Sequence, residues 1–560
     1  LEKLNYPTGG YTSFDYELNY GYESYSSTYM SVGGLRIKTI TDYDSVAAVA
    51  KVSNYTYTTS SSASSGVVRV IPSHVYYWNR CYLAWSWTYE DYLNQTSQPT
   101  QSLSYFNGSP IIYSRVVVDN TISSVSNGYV IHEFTNTPAY NGPDNDFPYV
   151  QKQDLDWSQG LPLTTSYYSA SNVLLKKVEN EYDHYYYTPS ISDGNSRNLI
   201  AGLYYWDDVN TFSEKMYGAR AYYMTYGRSD LKKTTVTDYD ASGSVATVTN
   251  HYYDNASIFT STRSVQTDSK GNSITTERKF AHDFVGQSIP DQMITKNMVA
   301  VPLEVKQTNT TNSTVIGWFK NVHALFNSTT LDLSTQERYD PQSTAWDTEL
   351  QVLSYDSKGN IAEIQGRNNI TTSYLWNENG NYPSAEVVNA PVSAIAYSSF
   401  ESSGKGNWTY SGTINTGGGA TGSNSYSLSS GNITHSSLNS GITYTVSYWL
   451  YAGGWVSGIS GTSVVTKNGW TLYTATVSGT TSLSIGGSGY IDELRLYPST
   501  AQMSTVTYNP LTGATSKTNA NNQITYYEYD ALGRLQSIRD WDKNIVKAFD
   551  YKYKVNPTTN

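Results

Sequence analysis

The sequence predicts an all-β fold, and three observations predict it. Its 560 residues carry 54 Tyr, 13 Trp and 12 Phe, set among Ser, Thr, Asn and 41 Gly, with only 17 Pro. Aromatic and β-branched residues fit a pleated, half-buried surface, and small polar residues fit the turns between such strands. Turn signals recur roughly every 10 to 20 residues, with alternating apolar and polar positions between them. No long window places Ala, Leu, Glu and Lys at the 3.6-residue spacing of an amphipathic helix, which rules out a helix bundle and a doubly wound α/β fold.

The length gives a prior of three to four domains of roughly 150 residues each, ample for a large buried core. Lys and Arg number 36 against 47 Asp and Glu, a net charge of −11. With no basic excess to neutralise phosphates, this argues against a nucleic-acid partner and against an anionic membrane surface. No apolar run approaches the ~18 residues of a transmembrane segment. The chain starts at Leu1 without Met or a signal peptide, so it reads as a mature chain or as a piece of something longer. Cys81 is its one cysteine and cannot form an intrachain disulfide. In the alternating run Cys81-Tyr-Leu-Ala-Trp-Ser-Trp87 it reads as a buried structural thiol.

The most informative turn is a repeated Asp-x-x-Gly: Asp240 to Gly243, Asp268 to Gly271, Asp356 to Gly359 and Asp530 to Gly533. The aspartate side chain caps the turn, and glycine three residues on takes φ > 0, the chemistry of a type I turn closing into a bulge. Each copy is flanked by aromatic or β-branched residues such as Val236, Tyr239 and Val245. The fullest copy is Tyr526-Tyr-Glu-Tyr-Asp-Ala-Leu-Gly-Arg-Leu-Gln-Ser-Ile-Arg-Asp540. Self-similarity at a period of roughly 20 residues suggests repeats built from hairpins.

Tyr-Glu-Tyr-Asp-Ala-Leu-Gly-Arg-Leu followed by Ile-Arg-Asp closely resembles the YD repeat of RHS-repeat proteins. Leu4-Asn-Tyr-Pro-Thr-Gly-Gly-Tyr-Thr12, Gly33-Gly-Leu-Arg-Ile-Lys38, Asn297-Met-Val-Ala-Val-Pro302 and Ser373-Tyr-Leu-Trp376 resemble segments of large exported RHS-like proteins of Bacteroidetes-type bacteria. The resemblance implies a spiral β-sheet forming a hollow shell, which encloses a C-terminal toxin segment or serves as a cell-surface scaffold. It also implies a secreted or outer-membrane-associated protein. Its implied partners are toxin cargo or outer-membrane export and anchor proteins. The weaker copies carry Ser244, Asn272 and Asn360 where the last has Arg534, and the family's core-closing segment has no match.

A composition shift marks a second unit. Aromatics thin out around Pro391 to Ala396, and a Gly- and Ser-rich stretch follows from Gly404 to Gly431. Short strands then suggest a β-sandwich, similar to a carbohydrate-binding jelly roll. The expected organisation is a YD-repeat region over 1–396, a jelly-roll sandwich over 397–498 inserted into it, and repeats resuming over 499–560. Trp449 and Trp470 lie in alternating strands and read as core. Trp455 sits in a glycine-flanked loop where an indole is hard to bury. With Tyr451 and Trp408 it is the candidate ligand-binding set, and polysaccharide the candidate ligand.

Little else points to chemistry. The seven histidines form no His-x-x-x-His or Cys/His spacing, so no metal centre is expected. No catalytic residues and no cofactor are expected, although Asp144-Asn-Asp146 reads as an Asx turn or as a loop for a structural calcium ion. Asp207 with Asp208 and Asp492 with Glu493 are adjacent carboxylates. If both pairs lie in strands their side chains point to opposite faces, and solvated strand ends are the expected reading. The function expected is a non-enzymatic scaffold. The alternatives are a polysaccharide-binding adhesin, cargo bound to an outer-membrane secretion machinery, and an enzyme.

Overall fold

The computed structural model describes residues 2–6, 10–23, 26–44, 48–69, 75–84, 86–95, 97, 109–136, 156–187, 199–207, 215–223 and 226–552, with side chains except at 75–94, 186–187, 199–207, 215–223, 226 and 552. The fold is all-β. The described residues include one α-helix, Ser288–Thr295, packed through Met293 on Ala281 and Leu331. It is too short and too polar to cross a membrane, and no other described helix could. Cys81 lies in the strand Val75–Ala84, paired with Ser86–Gln95, and Asp207 ends the strand Leu199–Asp207. Their side chains, together with Asp208 and the Asp144 to Asp146 loop, lie outside the described residues.

Contacts divide the chain into two compact units, Leu1–Tyr252 with Arg263–Ile274 and Tyr551–Asn560, and Tyr253–Thr262 with Thr275–Asp550. The second unit is built on an antiparallel ladder that brackets the segment between 388 and 502. Strand Pro383–Val388 pairs antiparallel with Gln502–Asn509, Ala385 facing Thr505 and Val388 facing Gln502. The ladder therefore closes across the segment between them, and the strands of that segment pack back onto it.

The first unit is a set of long antiparallel strands. Tyr11–Glu23 pairs with Thr28–Tyr43, and Leu174–Tyr187 pairs with Tyr226–Asp240. Val68 and Ile111 are its buried hydrophobic residues among those described, whereas Leu18, Tyr20, Tyr29 and Leu35 are exposed. Cross-strand aromatic pairs take over part of the work of a core, each adding roughly 0.2–1 kcal/mol. Tyr11 stacks on its partner Tyr43 at 4.2 Å and Tyr129 on its partner Tyr168 at 4.7 Å. Lys3 and Arg36 cap the Tyr11 and Tyr57 rings at 3.4 and 4.3 Å.

The Asp-x-x-Gly segments are all turns between strands. Gly243, Gly271, Gly359 and Gly533 have φ of 144°, 80°, 85° and 74°. In the last three the aspartate carbonyl accepts from the glycine N–H at 2.9–3.2 Å, and the aspartate Oδ1 accepts from the backbone N–H groups two and four residues on. The residue after the glycine reaches back to Oδ2: Asn272 at 2.9 Å, Asn360 at 3.1 Å and Arg534 at 2.8 Å. Asparagine thus does the work of the arginine in the fullest repeat. Asp240 differs. It pairs directly with Gly243 across a two-residue turn, and its carboxylate accepts from the Ser242 N–H and hydroxyl at 2.7 and 2.6 Å.

The same turn recurs without glycine. Asp540 accepts from the Asp542 and Asn544 N–H groups, with Lys543 at φ 66°, and Asn519 accepts from the Asn521 and Gln523 N–H groups, with Asn522 at φ 61°. The motif is therefore an Asx residue, a residue tolerating positive φ three places on, and a polar side chain at the fourth.

Two expectations follow. Nothing but Thr512 and the Leu511 carbonyl approaches the place of a Cβ on Gly533, no closer than 3.6 Å, so Gly533→Ala carries backbone strain alone. It is expected to cost about 1 kcal/mol, read from the urea midpoint. At Asp530 the hydrogen bond from Arg534, with those from the Arg534 and Leu532 N–H groups, holds the carboxyl below its usual range. A depressed folded value gives stability that is present above the unfolded value and lost as pH falls through the folded one. The stability gap between the parent and Asp530→Ala is therefore expected to be full at neutral pH and to close on acidification.

The second unit holds the sandwich. One sheet runs in the order Ile414–Thr416, Asn424–Ser427, Tyr490–Pro498, Tyr444–Tyr451, Trp470–Val477, Thr462–Lys467, with Ala396–Ser398 also on Tyr490–Pro498. A smaller sheet runs Ile433–Ser436, Ser482–Ser488, Trp455–Ser457. Phe400, Tyr426, Val446, Tyr448, Ile485 and Ile491 belong to the core they share. The larger sheet is covered on a second side, where Trp449, Trp470 and Leu472 meet Ile524, Tyr526 and Trp541 of the hairpins. Tyr444–Tyr451 and Tyr490–Pro498 are consequently buried almost end to end, as strands covered on both faces are.

Candidate functional site

Of the three aromatics singled out as ligand contacts, two face solvent. Trp455 is 58% exposed and opens the short strand Trp455–Ser457, paired with Gly486–Ser488. It lies in a strand rather than a loop, yet its indole stays outside. Tyr451 is 46% exposed, ends the strand Tyr444–Tyr451, and meets Trp470 edge-on at 5.3 Å. A turn joins the two, with the Gly454 N–H on the Tyr451 carbonyl at 3.1 Å and Gly453 at φ 81°.

Trp408 is not with them. It is 2% exposed, donates Nε1–H to the Leu494 carbonyl at 3.3 Å, and crosses His435 at 85°. It is a core residue and cannot stack on a ligand. Trp449 and Trp470 are buried. Tyr490, 39% exposed beside the Trp455 strand, is an aromatic that the sequence pattern did not single out.

The carboxylates Asp492 and Glu493 overturn the expectation of opposite faces and solvated ends. They are 0% and 2% exposed. Ser447 faces Arg495 and Trp449 faces Asp492, so two residues, Glu493 and Leu494, stand opposite Tyr448 alone. That is a β-bulge, and Glu493 takes φ 51° within it. The bulge brings both acids to Thr421. Asp492 Oδ2 accepts from the Thr421 N–H at 2.8 Å, and Glu493 Oε2 accepts from the Thr421 hydroxyl at 3.1 Å and from the Tyr397 hydroxyl at 2.7 Å.

Arg495 completes the cluster. Its Nη2 donates to Glu493 Oε1 at 2.8 Å, and its Nη1 donates to the Asn519 carbonyl at 3.2 Å and Asn522 Oδ1 at 3.1 Å. Thr505 also donates to Glu493 Oε1. Burial, reinforced by the Glu493 charge, pushes Asp492 well above the usual carboxyl range. Glu493 lies below it despite its burial, because Arg495, Thr505 and Tyr397 hold its charged form. Glu493 and Arg495 form a fully buried ion pair at 2.8 Å. The cluster joins the sandwich to the turn at Asn519 to Gln523, and its burial leaves no room for a substrate at either acid. Among the described residues, no three or more His, Cys, Asp or Glu gather as a metal centre would require.

No protein-family model matches the chain, and no curated protein matches it. Similarity appears among solved structures. A crystal structure of TcdB2-TccC3 without its hypervariable C-terminal region aligns over 96% of this chain and 24% of its own, at 8% identity and a TM-score of 0.25. The Photorhabdus luminescens Tc holotoxin pore aligns over 97% and 34%, at 8% identity and a TM-score of 0.14. An exo-β-1,3-galactanase from Phanerochaete chrysosporium with galactose aligns over 69% and 93%, at 11% identity and a TM-score of 0.13. The chain spans about a quarter of the length of the TcdB2-TccC3 chain. At such scores these similarities carry no argument about this chain, whose description rests on its own geometry.

Proposed function

We propose that this chain is a segment of a β-sheet scaffold of the RHS-repeat kind, exported to the cell surface or beyond, whose wall encloses or displays another polypeptide such as a C-terminal toxin segment. It acts without catalysis or cofactor. The observation that carries this reading is the sheet of the first unit. Its long strands bury almost no aliphatic side chain among the described residues and leave Tyr16, Leu18, Tyr20, Tyr29 and Leu35 exposed. Contiguous exposed apolar side chains of this kind mark surfaces that meet something else. Turns of one repeated design then extend the wall strand by strand.

Hydroxyl-radical footprinting tests the proposal. Tyr16, Tyr20 and Tyr29 are expected to be modified in the chain expressed alone and protected in the protein isolated from its source. Equal modification in both would count against an enclosed or displayed partner.

Trp455 supports a second reading, in which the strands over 396–498 form an inserted jelly roll that binds polysaccharide. A lone indole 58% exposed beside Tyr451 offers a sugar-stacking face. Trp455→Ala is expected to abolish retention on a polysaccharide column that holds the parent chain. Unchanged retention would remove Trp455 from the account.

A further inference from the structure

We infer that the outer face of the smaller sheet takes an uncharged polysaccharide, held by Asn432, Ser457 and Ser484 together with Trp455. This rests on the reading in which Trp455 stacks on sugar. It adds the class of the ligand and the polar contacts that select it.

The register fixes which side chains share the face. Thr434 faces Ser484, Ser457 faces Gly486 and Trp455 faces Ser488. Side chains alternate along each strand. Ile433, Leu483 and Ile485 belong to the buried core, and Val456 packs against it. Thr434, Ser484, Ser457 and Trp455 therefore point the other way, and the last three are exposed.

Asn432, also exposed, stands at the start of the strand Ile433–Ser436. Its Nδ2 donates to Ser484 Oγ at 3.1 Å. A Cβ on Gly486 would lie 2.6 Å from Asn432 Oδ1 and 3.2 Å from Ser457 Oγ. The bare glycine thus lets the amide lie over the sheet between the two serines. Asn432 Oδ1 accepts no hydrogen bond among the described residues, so it is open to a ligand hydroxyl. Gly486 is the diagonal neighbour of Trp455, roughly 7–8 Å away. That is wider than one pyranose ring, so indole and amide meet successive units of a chain.

Charge decides which chain fits. The strands Ile433–Ser436, Trp455–Ser457 and Ser482–Ser488 contain no Asp, Glu, Lys or Arg, and their one histidine, His435, is buried against Trp408. A carboxylate or sulfate laid on this face would lose water and gain no counter-charge. An apolar peptide would cover the hydroxyls and the amide without pairing them. An uncharged sugar chain matches both features, with a C–H face on the indole and hydroxyls exchanging hydrogen bonds with Asn432, Ser457 and Ser484.

The test is calorimetric titration of the full chain with soluble β-glucan, xylan and mannan, and with polygalacturonate and dextran sulfate. Salt at about 0.15 M screens charges farther apart than roughly 8 Å, so the net charge of the chain does not decide the result. At least one neutral polymer is expected to bind, and neither acidic one. Asn432→Ala is expected to weaken that binding about threefold to tenfold, as the loss of one neutral hydrogen bond implies. The thermal midpoint checks that the variant folds. Binding of an acidic polymer as tight as that of any neutral one would overturn the inference and leave Trp455 a sugar contact. Asn432→Ala binding like the parent would overturn it as well. No binding of any polymer would remove the polysaccharide reading itself, and this inference with it.

Discussion

Replacing Arg495 with methionine is expected to destabilise the second unit by about 3–5 kcal/mol, the cost of leaving a buried charge unpaired. Arg495 is fully buried, and it is the one cation paired with Glu493 among the described residues. Its removal strands the Glu493 carboxylate and unties the Asn519 carbonyl and Asn522 side chain in the same step. Urea denaturation followed by tryptophan fluorescence reads the loss. The double variant Glu493→Met with Arg495→Met is expected to recover much of it, because removing both members of a buried pair is far cheaper than removing one. A single-variant loss below about 1 kcal/mol, typical of exposed pairs, would mean that water reaches the cluster.

The second large effect separates two tryptophans. Trp408→Ala is expected to cost about 3–5 kcal/mol, since it empties a core position and removes a hydrogen bond from the Leu494 carbonyl. Trp455→Ala is expected to stay within about 0.5 kcal/mol, as substitutions of exposed residues do. Thermal unfolding of both variants side by side checks this. Equal losses would place the two indoles in equivalent surroundings and contradict the sandwich described above.

These pairs show what could be read without coordinates. The hairpin turns at Asp240, Asp268, Asp356 and Asp530 were legible because their chemistry is local. An aspartate caps its own turn, and the glycine supplies positive φ. The turns at Asn519 and Asp540 were less legible because Asn522 and Lys543 replace glycine. The informative signal was the pairing of an Asx residue with a polar residue four places on. The fates of Trp408 and Trp455 depend on which sheet face each indole meets, and both lie in polar, glycine-rich surroundings where local pattern is silent. Asp492 and Glu493 misled because the alternation rule assumes a regular strand, and the bulge at Glu493 breaks it. The two-unit division near residues 252–275 and 550 has no counterpart in the composition, which shifts instead around 391–431.

The scaffold reading is tested most directly by native mass spectrometry of the protein isolated from its source, under conditions that preserve non-covalent complexes. The account predicts a mass exceeding that of this chain by a second polypeptide, which is released when the fold is denatured. A bare chain with nothing held against its wall would contradict it.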